Sequence, residues 1–208
     1  MHRKTNNSAK YSLLVMVTWL VMLAAPAAQA AEQSFIWIQD PWVGDSVMST
    51  VTAPDYSLWD ATQIKDYEQA LQEDYGPPLA ILTINKLGLQ VPVYNGTSEH
   101  ILDRGAGRIK GMGRPGEDDN FGISAHRDSF FRGLKDLETN DDILVQTTHG
   151  VERYTVTKID IIPKEDASVL HVDEGKMLTL VTCYPFYHVG HAPERMIVTA
   201  VPKVEPIE

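Results

Sequence analysis

Short apolar runs separated by turn residues dominate the chain from residue 79 onward. Seven of these runs have the length and the β-branched or aromatic content that are typical of strands. They are Leu79–Ile84, Leu89–Tyr94, Phe121–Ser124, Ile143–Thr147, Tyr154–Ile162, Met177–Thr182 and Met196–Val201. The connecting segments are rich in turn residues, as in Asn95-Gly96, Gly105-Ala106-Gly107 and Arg114-Pro115-Gly116, and they predict turns there. Seven or eight short strands with few helices predict a mainly β domain, either a small closed barrel or a sandwich.

One helical pattern precedes these strands. Apolar side chains recur at helical spacing at Ile64, Tyr67 and Leu71. Ser57, followed three residues later by Asp60, resembles a capping signature. The pattern stops before the Gly-Pro-Pro sequence at residues 76–78, so the sequence predicts one amphipathic helix over about residues 58–74.

The N-terminal 31 residues have the character of an export segment. Basic residues precede an apolar run from Tyr11 to Leu23, and Ala28-Gln29-Ala30 resembles a signal-peptidase site. When the run is counted through Ala31 it becomes just long enough to span a membrane. A cleaved signal peptide and a retained N-terminal anchor both remain open. Either one places the rest of the protein outside the cytoplasm.

These patterns divide the chain into three parts. Residues 1–31 are predicted to be the signal peptide or anchor, and residues 32–78 a spacer followed by the amphipathic helix. Residues 32–55 are rich in aromatic residues, proline and glycine without clear periodicity. We interpret them as a spacer or as a segment packed on the domain surface. Residues 79–208 form the predicted β domain, and about 178 residues after the export segment suffice for one substantial core.

The charge balance limits the partners of this domain. The formal net charge of the chain is −10, and residues 1–30 contain three basic and no acidic residues, so the balance without them is −13. Nucleic acids attract proteins that present a basic surface. The composition therefore argues against a nucleic-acid partner and against binding to an anionic membrane surface, since both need a basic footprint.

Cys183 is the only cysteine of the chain. One cysteine cannot close an internal disulfide, and an unpaired thiol in an exported protein points to intermolecular pairing or to reactivity. The alternative is a buried, inert side chain that packs as a small hydrophobic group. The cysteine count alone does not decide between these two interpretations.

Two further residues lie at strand ends and suit a reactive cysteine. A thiol attacks as its thiolate and therefore needs an acid–base partner and a positive neighbour. His126 ends the apolar run that begins at Phe121, and Arg195 stands at the start of the last predicted strand. Strand ends can meet at one rim of a small barrel, so we predict that His126, Cys183 and Arg195 converge there.

The residues around this trio resemble a known family. Thr179-Leu180-Val181-Thr182-Cys183 resembles the TLxTC signature of the sortases, the cysteine transpeptidases that fasten proteins to bacterial surfaces. Ile84–Val93 resembles the early strand pair of that family. Asn120–Arg127 resembles its strand ending in histidine, with Ala125 where glycine is usual. Arg195–Val198 resembles the final strand that bears the arginine, and the four motifs occur in the family's order within about residues 79–201.

The resemblance extends to a subclass. Cys183-Tyr184-Pro185-Phe186 together with Ala192-Pro193-Glu194-Arg195 is most similar to class D-like sortases. The same block also resembles the sortases of some proteobacteria. The family fold implied is a closed β-barrel of seven to eight strands, with an N-terminal helix and short helices in the loops.

The resemblance also implies a mechanism and a set of partners. Cys183 would attack the Thr–Gly bond of an LPxTG-like sorting signal, His126 would act as general acid and base, and Arg195 would stabilise the oxyanion. Thr182 is a weaker candidate for oxyanion stabilisation. The partners would be an exported protein with a C-terminal sorting signal and an amine acceptor of the cell envelope. The enzyme would be attached to the bacterial membrane through its N-terminus, at the outer face of the cytoplasmic membrane, and would need no cofactor.

Other functions are also compatible with parts of the pattern. A hydrolytic cysteine endopeptidase differs only in using water to resolve the thioacyl intermediate, and a non-enzymatic envelope binding module would have an inert thiol. A zinc site built from Cys183, His188 and His191 lacks an evident fourth ligand. The acidic run Glu117-Asp118-Asp119 does not have the spacing of an EF-hand. We therefore predict no metal site.

Overall fold

The computed structural model describes residues 33–168, 175–187 and 190–203. It contains ten β-strands and two short α-helices, whose bounds follow in chain order. The strands are β1 (Gln33–Gln39), β2 (Ser46–Thr52), β3 (Ala80–Ile84), β4 (Leu89–Tyr94), β5 (Ala106–Arg108), β6 (Asn120–Ser124), β7 (Asp142–Thr147), β8 (Gly150–Pro163), β9 (Met177–Tyr184) and β10 (Glu194–Pro202). The helices are α1 (Ala61–Ala70) and α2 (Glu99–Arg104).

Eight of the strands close into a barrel in the order β10-β8-β7-β3-β4-β5-β6-β9. Neighbouring strands are antiparallel except at two places, where β4 runs parallel to β5 and β6 runs parallel to β9. The predicted mainly β fold is confirmed. Because the order of the strands closes on itself, the fold is a barrel and not a sandwich. All seven strands predicted from the apolar runs are present with similar bounds.

The barrel interior is filled by the inward-facing apolar side chains of its strands, because successive residues of a strand face opposite sides. Fully or almost fully buried examples are Leu82, Ile84, Val91, Val93, Ile123, Ile143, Val145, Tyr154, Val156, Leu178, Leu180, Val198 and Ala200. Burial of side chains of this size contributes roughly 1.5–3 kcal/mol each to folding. The barrel is therefore a packed core, and its outer surface is where a binding site can form.

The eighth barrel strand, β5, lies where the sequence pattern predicts a turn. Its one glycine explains the difference, because Gly107 sits so close to a neighbouring chain segment that a Cβ there would collide with the carbonyl oxygen of Gly96. Gly107 pairs with Tyr94 of β4 and with Ser124 of β6. A three-residue strand that needs glycine for close packing resembles a turn in its composition, so the sequence pattern predicts a turn there.

The segment before the helix forms a hairpin rather than an extended spacer. Strands β1 and β2 pair antiparallel from Gln33 opposite Thr52 to Gln39 opposite Ser46. Ile38 on the inner side is fully buried. The Gln39 N–H donates to the carbonyl of Pro78 (2.9 Å), and the Thr52 N–H donates to the side chain of Gln90 (2.8 Å). The hairpin therefore packs on the outside of the barrel, over β3 and β4.

Helix α1 is shorter than the predicted span of about residues 58–74. It begins after Asp60, whose carboxylate accepts the N–H groups of Thr62 and Gln63, while the Gln63 side chain accepts the Asp60 N–H. This reciprocal arrangement is a capping box, so Asp60 is the N-cap and Ser57 lies outside the helix. The aromatic ring of Trp59 packs edge-on against Phe130, with the ring centroids 5.0 Å apart. This contact attaches the helical segment to the chain that follows β6.

Within the described ranges, no helix is long and apolar enough to cross a bilayer. The predicted signal peptide or anchor at residues 1–31 lies outside these ranges. Helix α2, which the sequence patterns did not indicate individually, follows β4 and ends in Arg104. Its carboxylates lie beside the candidate site described next.

Candidate active site

Cys183 and Arg195 stand directly opposite each other on neighbouring strands. In the antiparallel pair of β9 and β10 they are cross-strand partners, and the side chains of such partners lie on the same face of the sheet. The flanking residues Leu180 and Val198 fill the barrel interior. Cys183 and Arg195 therefore both project from the outer surface of the barrel, where Cys183 is half-buried.

His126 completes the row from the other side of β9. Strand β6 runs parallel to β9 with Ser124 opposite Val181. The Ala125 N–H donates to the carbonyl of Val181 at 3.3 Å, which extends the pairing past the end of β6. Continuing this register by one more residue brings His126 beside Cys183. Cys183 lies on β9, Arg195 lies on β10, and His126 lies two residues after the end of β6. The joint action of these three residues as one site stays a prediction.

The guanidinium of Arg195 is held by the turn that leads into β10. Its Nη1 donates to the carbonyl oxygens of Ala192 (3.2 Å) and Glu194 (2.8 Å). The side chain is partly exposed, so the remaining N–H donors of the fork stay available to a peptide backbone. An arginine fork suits planar oxygen acceptors better than a lysine does.

Thr182 has a structural role in this arrangement. Its side chain is buried on the face opposite to Cys183, and its hydroxyl donates to the carbonyl of Ala125 at 2.8 Å. The bond ties the end of β6 to β9 and fixes the positions of the two neighbouring site residues. The hydroxyl is engaged in this bond, and the oxyanion role of Thr182 stays a prediction.

Arg127 is a residue of the site region to which the sequence patterns assign no role. It is 9% exposed, and its guanidinium donates to the carbonyl of Pro185 and to that of Gly190, both at 3.0 Å. These two carbonyls belong to the loop between β9 and β10. Arg127 therefore holds the loop that connects β9, which carries Cys183, to β10, which carries Arg195. An arginine directly after a strand-ending histidine is a detectable signal, although its partners are visible only in the fold.

The imidazole of His126 is surrounded by carboxylates on its side away from β9. Its Nε2 lies 3.6 Å from an oxygen of Asp103 and 3.7 Å from an oxygen of Glu99, both on α2. These residues border a cavity of about 200 Å³ that is also lined by Asp66, Asp128 and Trp59, among others. The carboxylates are placed to orient the ring and to neutralise its charge when it is protonated.

Glu99, Asp103 and His126 are also ligand types that divalent metals accept, and their ligand atoms lie within 4.8 Å of one another. The ion-pair contacts between the imidazole and the two carboxylates already account for this close approach. We assign no metal to the group. His191 lies exposed near the site, whereas His188, the other histidine of the zinc arrangement considered above, lies outside the described ranges.

A second groove, of about 520 Å³, lies elsewhere on the domain. It is bordered by residues 52–55, by the turn at Lys86–Gln90 and by part of the segment from Ser129 to Asp136. None of His126, Cys183 and Arg195 lines it. Its larger volume does not make it the site of chemistry, because Cys183 and Arg195 lie on β9 and β10 and His126 follows β6 by two residues.

The charged carboxylate of Asp103 lowers the stability of the fold at neutral pH, and a substitution can test this. Burial raises the pKa of its carboxyl above the ordinary value, Glu99 and Asp66 act in the same direction, and His126 opposes them. An acid with a raised pKa binds more protons in the folded than in the unfolded state, so it lowers stability as the pH rises. We expect Asp103→Asn to increase Tm at pH 7 by on the order of 2 °C, as measured by scanning calorimetry.

The gain from Asp103→Asn should shrink as the pH is lowered towards about 4, where the carboxyl also becomes protonated in the unfolded wild-type chain. Asp128→Asn is the matched control, because Asp128 borders the same cavity but is exposed. We expect no comparable rise in Tm for it. A lower Tm of Asp103→Asn at pH 7 would show that the ion pair with His126 outweighs the cost of burial.

Comparisons with known proteins agree with this geometry. The family model described as "Sortase domain" matches residues 82–203. A protein named Sortase D from Bacillus subtilis (strain 168) is 34% identical over 130 residues, which are 62% of this chain and 66% of that protein. The chain therefore spans just under two thirds of the length of that relative.

Solved structures show the same fold. A Clostridium perfringens Sortase D5 transpeptidase aligns with a TM-score of 0.57 at 26% identity, over 68% of this chain and 89% of that one. Sortase A from Corynebacterium diphtheriae aligns with a TM-score of 0.58 at 26% identity, over 83% of this chain and 79% of that one. Sortases are cysteine transpeptidases that act on the extracytoplasmic side of the membrane. The match of the Sortase domain to more than half of the chain shows that this chain belongs to the sortase family.

Proposed function

We propose that this chain is a sorting transpeptidase whose nucleophile is Cys183. It cleaves an LPxTG-like signal and transfers the acyl part to an amine of the cell envelope. The observation that supports this most strongly is the direct pairing of Cys183 with Arg195, next to the strand that ends in His126. Acyl transfer needs a nucleophile, a proton carrier and an oxyanion donor. Residues of all three types lie within residues 82–203, which the Sortase domain matches.

The proposed reaction has two balanced halves. The Cys183 thiolate adds to the carbonyl carbon of the Thr–Gly bond, and the C–N bond breaks as protonated His126 gives its proton to the leaving amine. The acyl group then remains on sulfur as a thioester. An incoming amine attacks this thioester, neutral His126 takes the amine proton, and the thiolate leaves. Proton transfer by a positioned group of this kind contributes roughly 10²–10⁴-fold.

Arg195 supplies positive charge where negative charge develops. In each half of the reaction the carbonyl oxygen becomes an oxyanion, and preorganised donors that point at this oxygen lower the barrier. Arg195 lies across from Cys183 on the neighbouring strand, which suits it to this role. Asp103 and Glu99 hold the imidazole of His126 from the opposite side.

We further propose that the chain is a class D-like sortase. The support comes from the name of the Bacillus subtilis relative, Sortase D, and from that of the Clostridium perfringens Sortase D5 transpeptidase. Both sources are outside the proteobacteria, so the resemblance to proteobacterial sortases gains no support from them. The substrate is proposed to be an exported protein with a C-terminal sorting signal, and the enzyme to be attached to the membrane through its N-terminal segment.

An assay with and without an added amine tests the proposal and separates it from the hydrolytic alternative. The full chain is incubated with an LPxTG-like peptide, and the products are resolved by liquid chromatography and mass spectrometry. We expect the acyl fragment to appear as an amide when a primary amine such as triglycine is present, and cleavage to be several-fold slower without it, because water must then resolve the thioester.

A peptide with the same residues in scrambled order serves as the control and is expected to remain intact. A product that is always the free acid, at a rate independent of amine, would assign hydrolysis instead of transfer. If the thiol of Cys183 also failed to react with iodoacetamide at neutral pH, the non-enzymatic binding module would be the better account.

A further inference from the structure

We propose that the outer face of the β1–β2 hairpin is a docking surface for the lipid bilayer. This hairpin outer face consists of Phe35, Trp37, Met48 and Thr50, which pair across the two strands as Phe35 with Thr50 and Trp37 with Met48. Phe35 is 77% exposed, Trp37 57% and Met48 54%. Large apolar side chains that are adjacent and exposed mark interaction surfaces more often than single exposed residues do.

The composition of the hairpin suits a lipid surface. Neither β1 (QSFIWIQ) nor β2 (SVMSTVT) contains a charged residue, although the chain as a whole has a net charge of −10. Acidic side chains are repelled by anionic headgroups, and an uncharged surface avoids this cost. Aromatic side chains such as tryptophan favour the level of the headgroups. The two acids of the connecting turn, Asp40 and Asp45, lie at the tip of the hairpin and not on its strands.

The position of the hairpin on the barrel separates it from the site of chemistry. It packs over β3 and β4. In the closed strand order, β3 is four strands away from β9 in either direction, which places it on the far side of the barrel from Cys183. The hairpin outer face is therefore not a part of the candidate active site around Cys183. A barrel that rests on this face presents His126, Cys183 and Arg195 away from the bilayer.

The sequence before the hairpin argues for lipid as the occupant. The apolar run of the N-terminal segment ends at Leu23, and Phe35 follows 12 residues later. Even a fully extended chain of this length spans only about 40 Å, roughly the thickness of a bilayer with its headgroups. A chain attached to a membrane by this segment keeps Phe35 within that distance of the lipid. This inference rests on the membrane attachment proposed above for the N-terminal segment, and it does not depend on the proposed reaction.

A second copy of the chain is a poorer match for the hairpin outer face. Its three exposed apolar side chains offer roughly 300–500 Å², because only 54–77% of each is exposed and a side chain of this size has about 150–250 Å² to bury. Stable protein interfaces usually bury about 800 Å² on each partner. Insertion of a few aromatic side chains among the headgroups, by contrast, needs no larger surface when the chain is already attached to the membrane.

Depth-dependent fluorescence quenching tests this proposal. Because Cys183 is the only cysteine, the full chain with Cys183→Ala offers a cysteine-free background. Thr50→Cys then places a label on the hairpin outer face, and Lys158→Cys places one on an exposed position of β8, next to β10. Each chain is labelled with an environment-sensitive fluorophore and reconstituted in phosphatidylcholine vesicles. We expect brominated lipid to quench the label at position 50 at least about threefold more than that at position 158.

Two further variants show whether the exposed aromatic residues cause the contact. Phe35→Ser combined with Trp37→Ser should reduce the quenching at position 50 to the level at position 158. Ile161→Ser removes an exposed apolar side chain from β8 and should leave the quenching unchanged. Equal quenching at positions 50 and 158, or a full chain that does not float with the vesicles, would overturn the proposal. So would a label at position 50 that becomes shielded only as the protein concentration rises, because a second copy would then cover the face.

Discussion

Cys183→Ala is expected to lower the rate of cleavage of an LPxTG-like peptide by at least about 10³-fold, because replacement of a nucleophile removes the covalent route altogether. Cys183 is the only sulfhydryl of the chain. Peptide cleavage followed by liquid chromatography, with the enzyme at micromolar concentration, measures this loss directly.

The fold should survive this change. Cys183 is half-buried on the outer side of β9 and takes no part in the packed interior of the barrel, so loss of its sulfur creates no core cavity. We expect near-ultraviolet circular dichroism and Tm to stay close to those of the wild type. Val181→Ala is the matched control, because it shortens the outward-facing side chain two residues earlier on β9 and should retain activity. Cleavage at the wild-type rate by Cys183→Ala would contradict the proposed chemistry.

Arg195→Gln is expected to lower kcat/KM by roughly 10²–10³-fold, the usual cost of losing one preorganised oxyanion donor. The change removes the positive charge directly across from Cys183 and leaves an uncharged polar side chain of similar length. Arg195→Lys restores the charge without the planar fork. We therefore expect it to recover part of the rate and to remain at least about 10-fold below the wild type.

A matched change elsewhere on the surface separates a local effect from a change in net charge. Arg114 is 44% exposed, and its guanidinium lies over the ring of Trp42 in the turn between β1 and β2. Arg114→Gln should leave kcat/KM within about twofold, because surface charges at a distance are screened by salt. If Arg195→Gln also left kcat/KM within about twofold, Arg195 would have only a structural role, through its bonds to Ala192 and Glu194.

The strands were predictable because their apolar residues must fill one interior. Runs such as Met177–Thr182 are apolar on both faces or nearly so, and the structure shows why. Leu178 and Leu180 fill the barrel, while Thr179 is covered on the outside, where its hydroxyl donates to the side chain of Asn120 at 2.8 Å. Cys183 and Arg195 lie opposite each other on neighbouring strands, in agreement with the predicted alignment of strand ends, and the shared site with His126 stays a prediction.

The hairpin was not predictable from the usual alternation of apolar and polar residues. In β1, Phe35 and Trp37 face outward while Ile36 and Ile38 face the barrel, so both faces are apolar and no period of two appears. A strand with an exposed polar face would have given that signal. The absence of the signal and the inferred lipid contact have the same physical origin, namely apolar side chains on the outward face.

The residues that surround the candidate site could not be predicted from the sequence, for a different reason. Asp103 and Glu99 reach His126 from α2, a six-residue helix that is too short for a clear period. Arg127 binds carbonyls about 60 residues further along the chain. Contacts of this kind depend on the closure of the barrel, and no local pattern in the sequence specifies them.

Mass spectrometry of a trapped intermediate tests the central claim most directly. The full chain is mixed with an LPxTG-like peptide without added amine, quenched in acid within the first turnover, and digested for peptide mapping. The account predicts a mass increase equal to the acyl fragment on the peptide containing Cys183, lost on treatment with hydroxylamine and absent from Cys183→Ala. Continued cleavage with no adduct, or an adduct on any other residue, would contradict it.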